Sequence, residues 1–241
     1  MNGDTQYDPL FWDIETTSFD PMEPPAWENG TPNVIIGVSV GKFGDGWRDA
    51  QEMDQFEFDV ETAVVSGVSG KDNRWDIFGA EHYLIKEVFG DGGIMMQMAG
   101  EIEDNGRDVF LTGWNTRNFD HSFVGGRCAR HRLSAKPTLH HYKRLDMMRP
   151  AAKDYGNSHA VSEDDYLEYL GIENDDEFDG GDMWDEFQAG RLENIKSHAL
   201  SDVTQMMEVF FTKRSLFYDH FYDHYDGLGE SPIFGEVLDF D

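Results

Sequence analysis

The 241-residue sequence has little cysteine, little lysine and no long apolar run. The single cysteine, Cys128, excludes an intramolecular disulfide framework. No apolar run approaches the roughly 18 residues of a transmembrane helix, and the start lacks a basic-then-apolar signal segment. We therefore expect a soluble, cytoplasmic protein with no membrane partner.

Positive charge is also scarce, because 19 Lys and Arg face 48 Asp and Glu, for a net charge of −29. With 39% apolar and 14% aromatic residues, the chain still has enough to bury a core. The electrostatic field of such a negatively charged protein repels phosphate at low salt. At 1 M salt the Debye length is only about 3 Å, so distant charges no longer repel it. The acid-rich, lysine-poor composition is similar to that of halophilic proteins that work in molar salt.

The basic residues are unevenly distributed. Residues 115–153 contain nine of the 19 basic residues and only two acids. Two interpretations remain open: these side chains neutralise acidic neighbours across the fold, or they form a phosphate-facing patch. The nine are Arg117, Arg127, Arg130, Arg132, Lys136, Lys143, Arg144, Arg149 and Lys153.

Apolar patterning predicts strands that alternate with helices around one sheet. The predicted strands lie near residues 10–12, 34–40, 56–58, 109–113 and 142–147. The predicted helices lie near residues 80–89, 93–103, 119–131, 166–170 and 192–217, the last with room for one break. Pro150 is expected to close the last strand, and the acidic run 173–182 to be a loop. No linker divides the chain, so we expect one α/β domain over residues 1–241.

Asp13 and Glu15 form the first acidic motif. Two residues apart in a strand, their carboxylates project from the same face, which suits a hard divalent cation. At this composition about two such triplets are expected by chance, and two occur, the other being Asp59 and Glu61. Only Asp13 follows an apolar run that would bury its surroundings, so we select the first triplet.

A second motif runs from Asn115 to Phe119 and Asp120. It follows a predicted strand and opens a predicted helix, and its spacing should arise by chance only about 0.1 times here. Asp120 is therefore expected at the rim of the sheet. The alternative is an acid that simply favours the start of a helix through the macrodipole.

His198 and Asp202 form the third motif. Four residues apart on a helix, they share one face, which would hold a carboxylate ligand beside a proton acceptor. About one such pair is expected by chance and one occurs, so a surface pair is the alternative.

Taken together, Asp-Ile-Glu-Thr-Thr (13–17), Gly-Trp-Asn-x-x-x-Phe-Asp (113–120) and His-Ala-Leu-Ser-Asp-Val (198–203) resemble the three motifs of the DEDD 3′–5′ exonucleases. The second is most similar to the proofreading exonuclease domain of family B DNA polymerases and stand-alone relatives. The resemblance spans about residues 10–211 and implies an RNase H-like fold, with a central mixed five-stranded sheet flanked by helices.

The resemblance implies a site with two Mg²⁺ or Mn²⁺ ions. Asp13, Glu15 and Asp202 would hold the first ion, Asp13 would bridge to the second, and Asp120 would hold the water shell of the second. His198 would act as general base. The polymerase branch usually has Tyr four residues before the last Asp and the histidine branch has His five before it. His198 stands at the tyrosine spacing, which leaves the branch open.

The substrate implied by the resemblance is a 3′ end of single-stranded nucleic acid, hydrolysed to nucleoside monophosphates. DNA is favoured over RNA only by analogy. Thr16, Asn115 and Phe119 are the candidate contacts to the terminal nucleotide, with a core position as the alternative for Phe119. Two other functions remain open: a catalytically inactive nucleic-acid-binding or replication accessory module with the same fold, and an acidic mimic of nucleic acid.

The C-terminal residues 218–241 are expected to form an acidic, aromatic tail. Its last five residues resemble a short acidic-hydrophobic interaction peptide, so we expect a replication or repair protein as partner. The aromatic repeat at 217–226 has a second interpretation, in which it lies over the core.

Overall fold

The computed structural model describes residues 6–17, 33–117, 119–133, 139, 141–157, 159–174, 176, 178 and 180–226. Lys136 of the basic segment and the C-terminal residues 227–241 lie outside the described residues. Within the described ranges, no helix has both the length and the apolar character needed to cross a bilayer.

A five-stranded mixed sheet forms the centre of the protein. Its strands are β1 (Tyr7–Thr16), β2 (Ile35–Phe43), β3 (Phe58–Val64), β4 (Asp108–Gly113) and β5 (Lys143–Asp146). The strand order is β3-β2-β1-β4-β5, and β2 runs antiparallel to both β1 and β3, whereas β4 is parallel to β1 and β5. This order and these directions are those of the RNase H-like fold, so the predicted fold class is confirmed.

Alternation along β1 sends its side chains to two separate cores. Leu10, Trp12 and Ile14 pack into one core, on the face covered by α1 (Arg74–Phe89) and α2 (Ile94–Asp104). The residues between them, beginning with Phe11, face the other core. Asp13 and Glu15 share the face of Phe11, because both lie an even number of residues from it.

The second face of the sheet is covered mainly by one long helix, α7 (Leu192–Thr212), which crosses β1, β2 and β3. Its approach is close: a Cβ on Gly41 of β2 would lie 2.8 Å from both Val203 Cγ1 and Met207 Sδ. Only glycine therefore fits at this crossing without a shift of the Val203 and Met207 side chains. The other helices of the described residues are α3 (Asp120–His131), α4 (Met148–Tyr155), α5 (Glu163–Leu170), α6 (Met183–Ala189) and α8 (Arg214–Asp226), with 3₁₀ turns at Met53–Gln55 and Gly180–Asp182.

One sequence expectation, on Pro150, is wrong. Pro150 does not close a structural element but lies in the first turn of α4, where a proline is tolerated because the amide there has no partner within the helix. The long C-terminal helix breaks once, as the sequence allowed, at Lys213 between α7 and α8. Residues 218–226 belong to α8, in which Phe217 and Phe221 are buried, so the aromatic repeat packs over the core there. The division into a domain over residues 1–241 and a tail over residues 218–241 stays a prediction.

Candidate active site

The end of β1 places Asp13 and Glu15 beneath α7. In the β1–β2 ladder Glu15 lies opposite Gly37, and a Cβ there would sit 3.2 Å from Glu15 Cβ and 3.3 Å from Ile195 Cγ2. The missing side chain therefore leaves room for the Glu15 carboxylate between sheet and helix. The Glu15 side chain is buried and hydrogen-bonds with that of Asp13.

The first half of α7 brings His198 and Asp202 to the same place. His198 Nε2 lies 3.8 Å from Glu15 Oε2 and 3.6 Å from Asp202 Oδ2. One ligand atom from each of the three residues lies within 4.8 Å of the other two. The pair four residues apart on the helix is thus directed into the protein rather than lying on its surface.

Asp120 reaches the site from a third part of the chain, at the first residue of α3, just beyond the end of β4. It is only 2% exposed, and its Oδ2 has no hydrogen-bond partner among the described residues. Burial raises the pKa of Asp120 well above 3.8, and the nearby charges of Asp13 and Asp146 raise it further. Burial and repulsion make the ionised Asp120 carboxylate unfavourable, which argues against the alternative that Asp120 only stabilises the start of α3.

Burial raises the pKa values of Asp13, Glu15 and Asp202, and repulsion between carboxylates adds to the rise for Glu15 and Asp202. Burial raises the pKa of Asp13 to about 6, although His198 and a hydrogen bond from Glu15 act in the opposite direction. Burial also raises the pKa of Asp202 to about 7, with His198 opposing and Asp13 adding to the rise. For Glu15, burial and then the charges of Asp13, Asp202 and Asp120 raise the pKa well above 4.5.

The same carboxylate charges favour the charged, protonated form of the His198 imidazole. Burial alone would lower its pKa, but the carboxylates of Asp202 and Asp176 outweigh burial and raise it above 6.5. The Nδ1 atom of His198 is hydrogen-bonded to Oδ2 of Asp176, which leaves Nε2 facing Glu15 and Asp202.

The donor set fits a hard divalent cation. All the carboxylates offer oxygen, which Mg²⁺ and Mn²⁺ prefer. Buried oxygens of Glu15 (Oε1) and Asp120 (Oδ2) lack a partner in the described part of the chain, although buried polar atoms normally have one. A bound cation would satisfy these atoms and relieve the repulsion that raises the carboxylate pKa values.

Two acidic residues at this site were missed by sequence reasoning. Asp176 contacts His198 from the loop before α6, and Glu163 approaches from the first residue of α5. Burial raises the Glu163 pKa well above 4.5, as do the charges of Asp202 and Asp13, and its Oε1 is buried without a partner among the described residues. Locally, both read as ordinary acids, one in an acidic loop and one after the N-cap Ser162.

The predicted substrate contacts lie at the edge of the same site. Thr16 ends β1, directly after a register shift in its pairing with β2. Asn115 has a positive φ of 54° in the loop after β4. Phe119 is half-buried, packs against the core beside α1 and α2, and has its ring 5.6 Å from that of Phe123. The structure therefore gives Phe119 a packing role, and its contact with a nucleotide stays a prediction.

The loop that carries Asn115 is held by Asp146, at the end of β5. The Asp146 carboxylate accepts hydrogen bonds from the backbone amides of Asn115 at 3.0 Å, Arg117 at 3.3 Å and Met148 at 3.2 Å. These bonds fix the β4–α3 connection and so position Asp120 at its end.

The basic segment divides between two uses. Arg127 is buried and donates through Nε to Glu81 Oε1 at 2.7 Å, with a second bond through Nη2. Lys143 lies over the rings of Tyr7 and Tyr225, at 4.5 and 4.9 Å from their centroids. Five others are exposed: Arg117, Arg130, Arg132, Arg149 and Lys153. Neutralisation inside the fold therefore accounts for part of the segment only.

Comparison with known proteins gives matches only to solved structures. No protein-family model matches the chain, and no curated protein matches it. The match with a structure of exonuclease I covers 91% of this chain and 44% of the exonuclease I chain, at 13% identity and a TM-score of 0.47. The match with the zinc-bound complex of Escherichia coli exonuclease I and single-stranded DNA covers 91% of this chain and 43% of the exonuclease chain, at 14% identity and a TM-score of 0.48.

A family B DNA polymerase, from the hyperthermophilic archaeon Pyrobaculum calidifontis, is also similar. The match covers 84% of this chain and 24% of the polymerase chain, at 11% identity and a TM-score of 0.45. The chain thus spans less than half the length of each of these structural neighbours.

Proposed function

We propose that this protein is a two-metal-ion-dependent 3′–5′ exonuclease that hydrolyses single-stranded nucleic acid, with DNA favoured, to nucleoside monophosphates. The observation that carries the proposal is the convergence of carboxylates from three distant segments: Glu15 of β1 and Asp202 of α7 meet at the buried imidazole of His198, and the charge of Asp120, at the start of α3, acts on Glu15. Burying several like charges is unfavourable unless something compensates for them, which is the arrangement expected of a functional site.

The residues that would hold the cations are Asp13, Glu15 and Asp202 for one ion, and Asp13 and Asp120 for the other. When bound, a pair of divalent ions supplies an activated water and stabilises charge on the leaving oxygen. The protein contributes the fixed positions of the carboxylates, which the sheet and the buried start of α3 hold in place before substrate arrives.

His198 would accept the proton of the attacking water through Nε2, the atom that faces Glu15 and Asp202. Only the neutral imidazole accepts a proton, and the neutral form is favoured once the carboxylate charges around it are offset. The direction of Nε2 supports His198 as the base despite its spacing of four residues from Asp202.

An open cleft of about 460 Å³ adjoins the site and would receive the 3′ end of the strand. Trp114, Asn115, Tyr155 and Glu163 are among the residues that line it. Tyr155 is 43% exposed, and aromatic faces of this kind stack on bases with little preference for sequence. The cleft thus combines a stacking surface with Glu163, whose charge environment includes Asp202 and Asp13, so a strand in the cleft would lie beside the proposed ligands.

The experiment is a time course with 5′-labelled single-stranded DNA and RNA, with Mg²⁺ or Mn²⁺, over a KCl series up to molar concentrations. The proposal predicts a product ladder that shortens from the 3′ end, nucleoside monophosphate products and no reaction with chelator. Asp13→Asn should abolish digestion. Asp59→Asn is the matched control. Asp59 belongs to the other Asp-x-Glu triplet, and it is an exposed residue of β3 that pairs with Lys42 of β2.

Oligonucleotide binding that persists with chelator, with no mononucleotide at any salt concentration, would instead identify the inactive binding module. Equal activity in Asp13→Asn and the wild type would overturn the proposed site. A replication or repair protein that binds the C-terminal tail (residues 218–241) and a halophilic, cytoplasmic setting stay predictions, and the salt optimum of the assay tests the halophilic part.

A further inference from the structure

The loop before α6 places a further acidic side chain, that of Asp176, behind the imidazole of His198. Its Oδ2 is hydrogen-bonded to Nδ1 of His198, on the side of the ring away from Glu15 and Asp202. Both side chains are almost fully enclosed, with 6% of Asp176 and 7% of His198 exposed. A water molecule therefore cannot easily replace this contact.

Asp176 is itself held in place by bonds that tie the loop to α7. Its Oδ1 accepts the backbone amide of Phe178 at 3.0 Å, and its own amide donates to Asn174 Oδ1 at 2.9 Å. Gln205, one turn beyond the His198 and Asp202 pair, donates to the same Asn174 oxygen at 2.7 Å. The acid and the imidazole are thus anchored to the same helix.

We propose that Asp176 is a positioning residue that keeps neutral His198 in the tautomer with hydrogen on Nδ1, so that Nε2 is the free proton acceptor. A carboxylate only accepts hydrogen bonds, so it selects a ring that carries its hydrogen on Nδ1. The inference rests on the proposed nuclease function for its catalytic meaning, whereas the tautomer itself is a property of the chain alone.

The network makes Asp176→Asn an unusually informative substitution. The Phe178 amide needs an acceptor, so the carbonyl oxygen of the new amide should stay at the Oδ1 position. The amide NH₂ would then face Nδ1 of His198, which must become an acceptor and leave its hydrogen on Nε2. The substitution therefore preserves shape and packing but inverts the tautomer, whereas Asp176→Ala only releases the ring.

The first test reads the tautomer directly by long-range ¹H–¹⁵N correlation on the histidine rings, without metal and at alkaline pH, where the ring is neutral. The chain has nine histidines, and His198→Gln identifies the signal that belongs to residue 198. We expect hydrogen on Nδ1 in the wild type and on Nε2 in Asp176→Asn. Hydrogen on Nε2 in the wild type, or an unchanged tautomer in Asp176→Asn, would overturn the inference.

The second test compares kinetics of the full chain. Asp176→Asn should lower kcat by about 100-fold or more, the range of a lost general base, with KM changed by less than about twofold. Asp176→Ala should lower kcat less than Asp176→Asn. Glu173→Gln is the control, because it removes one exposed negative charge from the same loop and should leave kcat unchanged.

The two tests separate the two proposals. An inactive wild type with the expected tautomers would contradict the nuclease function and leave the role of Asp176 in the ring geometry standing. An active wild type whose kcat is the same in Asp176→Asn would contradict the positioning role and leave the nuclease function standing. Thermal unfolding of each variant shows that a kinetic loss comes from a folded protein.

Discussion

Replacing Asp202 by asparagine should make the metal-free protein more stable at neutral and alkaline pH, although it removes a carboxylate that the proposed reaction needs. In the folded protein, burial is the main cause that raises the pKa of Asp202 from 3.8 to about 7. Its ionised form is therefore less favourable in the fold than in the unfolded chain. Asparagine is close in shape and carries no charge, so the variant avoids this cost.

The size and pH range of the effect follow from those two values. Below pH 3.8 the carboxyl is protonated in both states, so it brings no penalty. The penalty grows as the pH rises towards 7 and is complete above it. At about 1.4 kcal/mol for each pH unit between the two values, it amounts to about 4 kcal/mol. For a chain of this length that corresponds to a rise in Tm on the order of 10 °C.

The assay is thermal unfolding of wild type and Asp202→Asn between acidic and alkaline pH, with chelator and at one fixed KCl concentration. Constant salt matters because it screens exposed charges strongly and buried charges much less. Asp219→Asn is the control, because it makes the same substitution at an exposed position of α8 and should give a difference that does not follow this pH course. Equal or lower stability of Asp202→Asn at alkaline pH, or a difference independent of pH, would refute the reasoning.

Three further predictions concern the same architecture. Mn²⁺ should raise the Tm of the wild type and raise that of Asp120→Asn much less, because the variant loses a buried oxygen that lacks a partner; equal shifts would count against Asp120 as a ligand. Glu163→Gln should weaken Mn²⁺ binding by about tenfold in calorimetry, because the Glu163 charge acts on Asp202 and Asp13; unchanged affinity would exclude that role. Arg127→Ala should lower the free energy of unfolding in urea by about 3–5 kcal/mol, because the buried Glu81 carboxylate loses its ion pair with Arg127. The activity of the folded fraction should stay unchanged.

The positions of the three motifs could be predicted because each depends on a short, regular pattern. The apolar run before Asp13 marks a buried strand, and the period of two then places Glu15 on the same face. The period of the helix does the same for His198 and Asp202. These local rules were enough to predict an α/β fold, and the strand order confirms the RNase H-like class.

What could not be predicted depends on contacts between residues far apart in the chain. Asp176 lies 22 residues before His198, in a loop with other acids, and nothing in its neighbours distinguishes it among 48 acidic residues. Glu163 shares the appearance of any acid after a helix N-cap. The α4 helix was missed because Pro150 was read as a terminator, although the first turn of a helix accepts proline.

The central claim is that Asp13, Glu15, Asp120 and Asp202 together bind a pair of divalent cations. Anomalous diffraction from crystals grown with Mn²⁺ and a nucleoside monophosphate tests it most directly. We expect two manganese peaks about 3.5–4 Å apart, with Asp13 contacting both. Peaks at other places, or none beside these carboxylates when the nucleotide is bound, would contradict it.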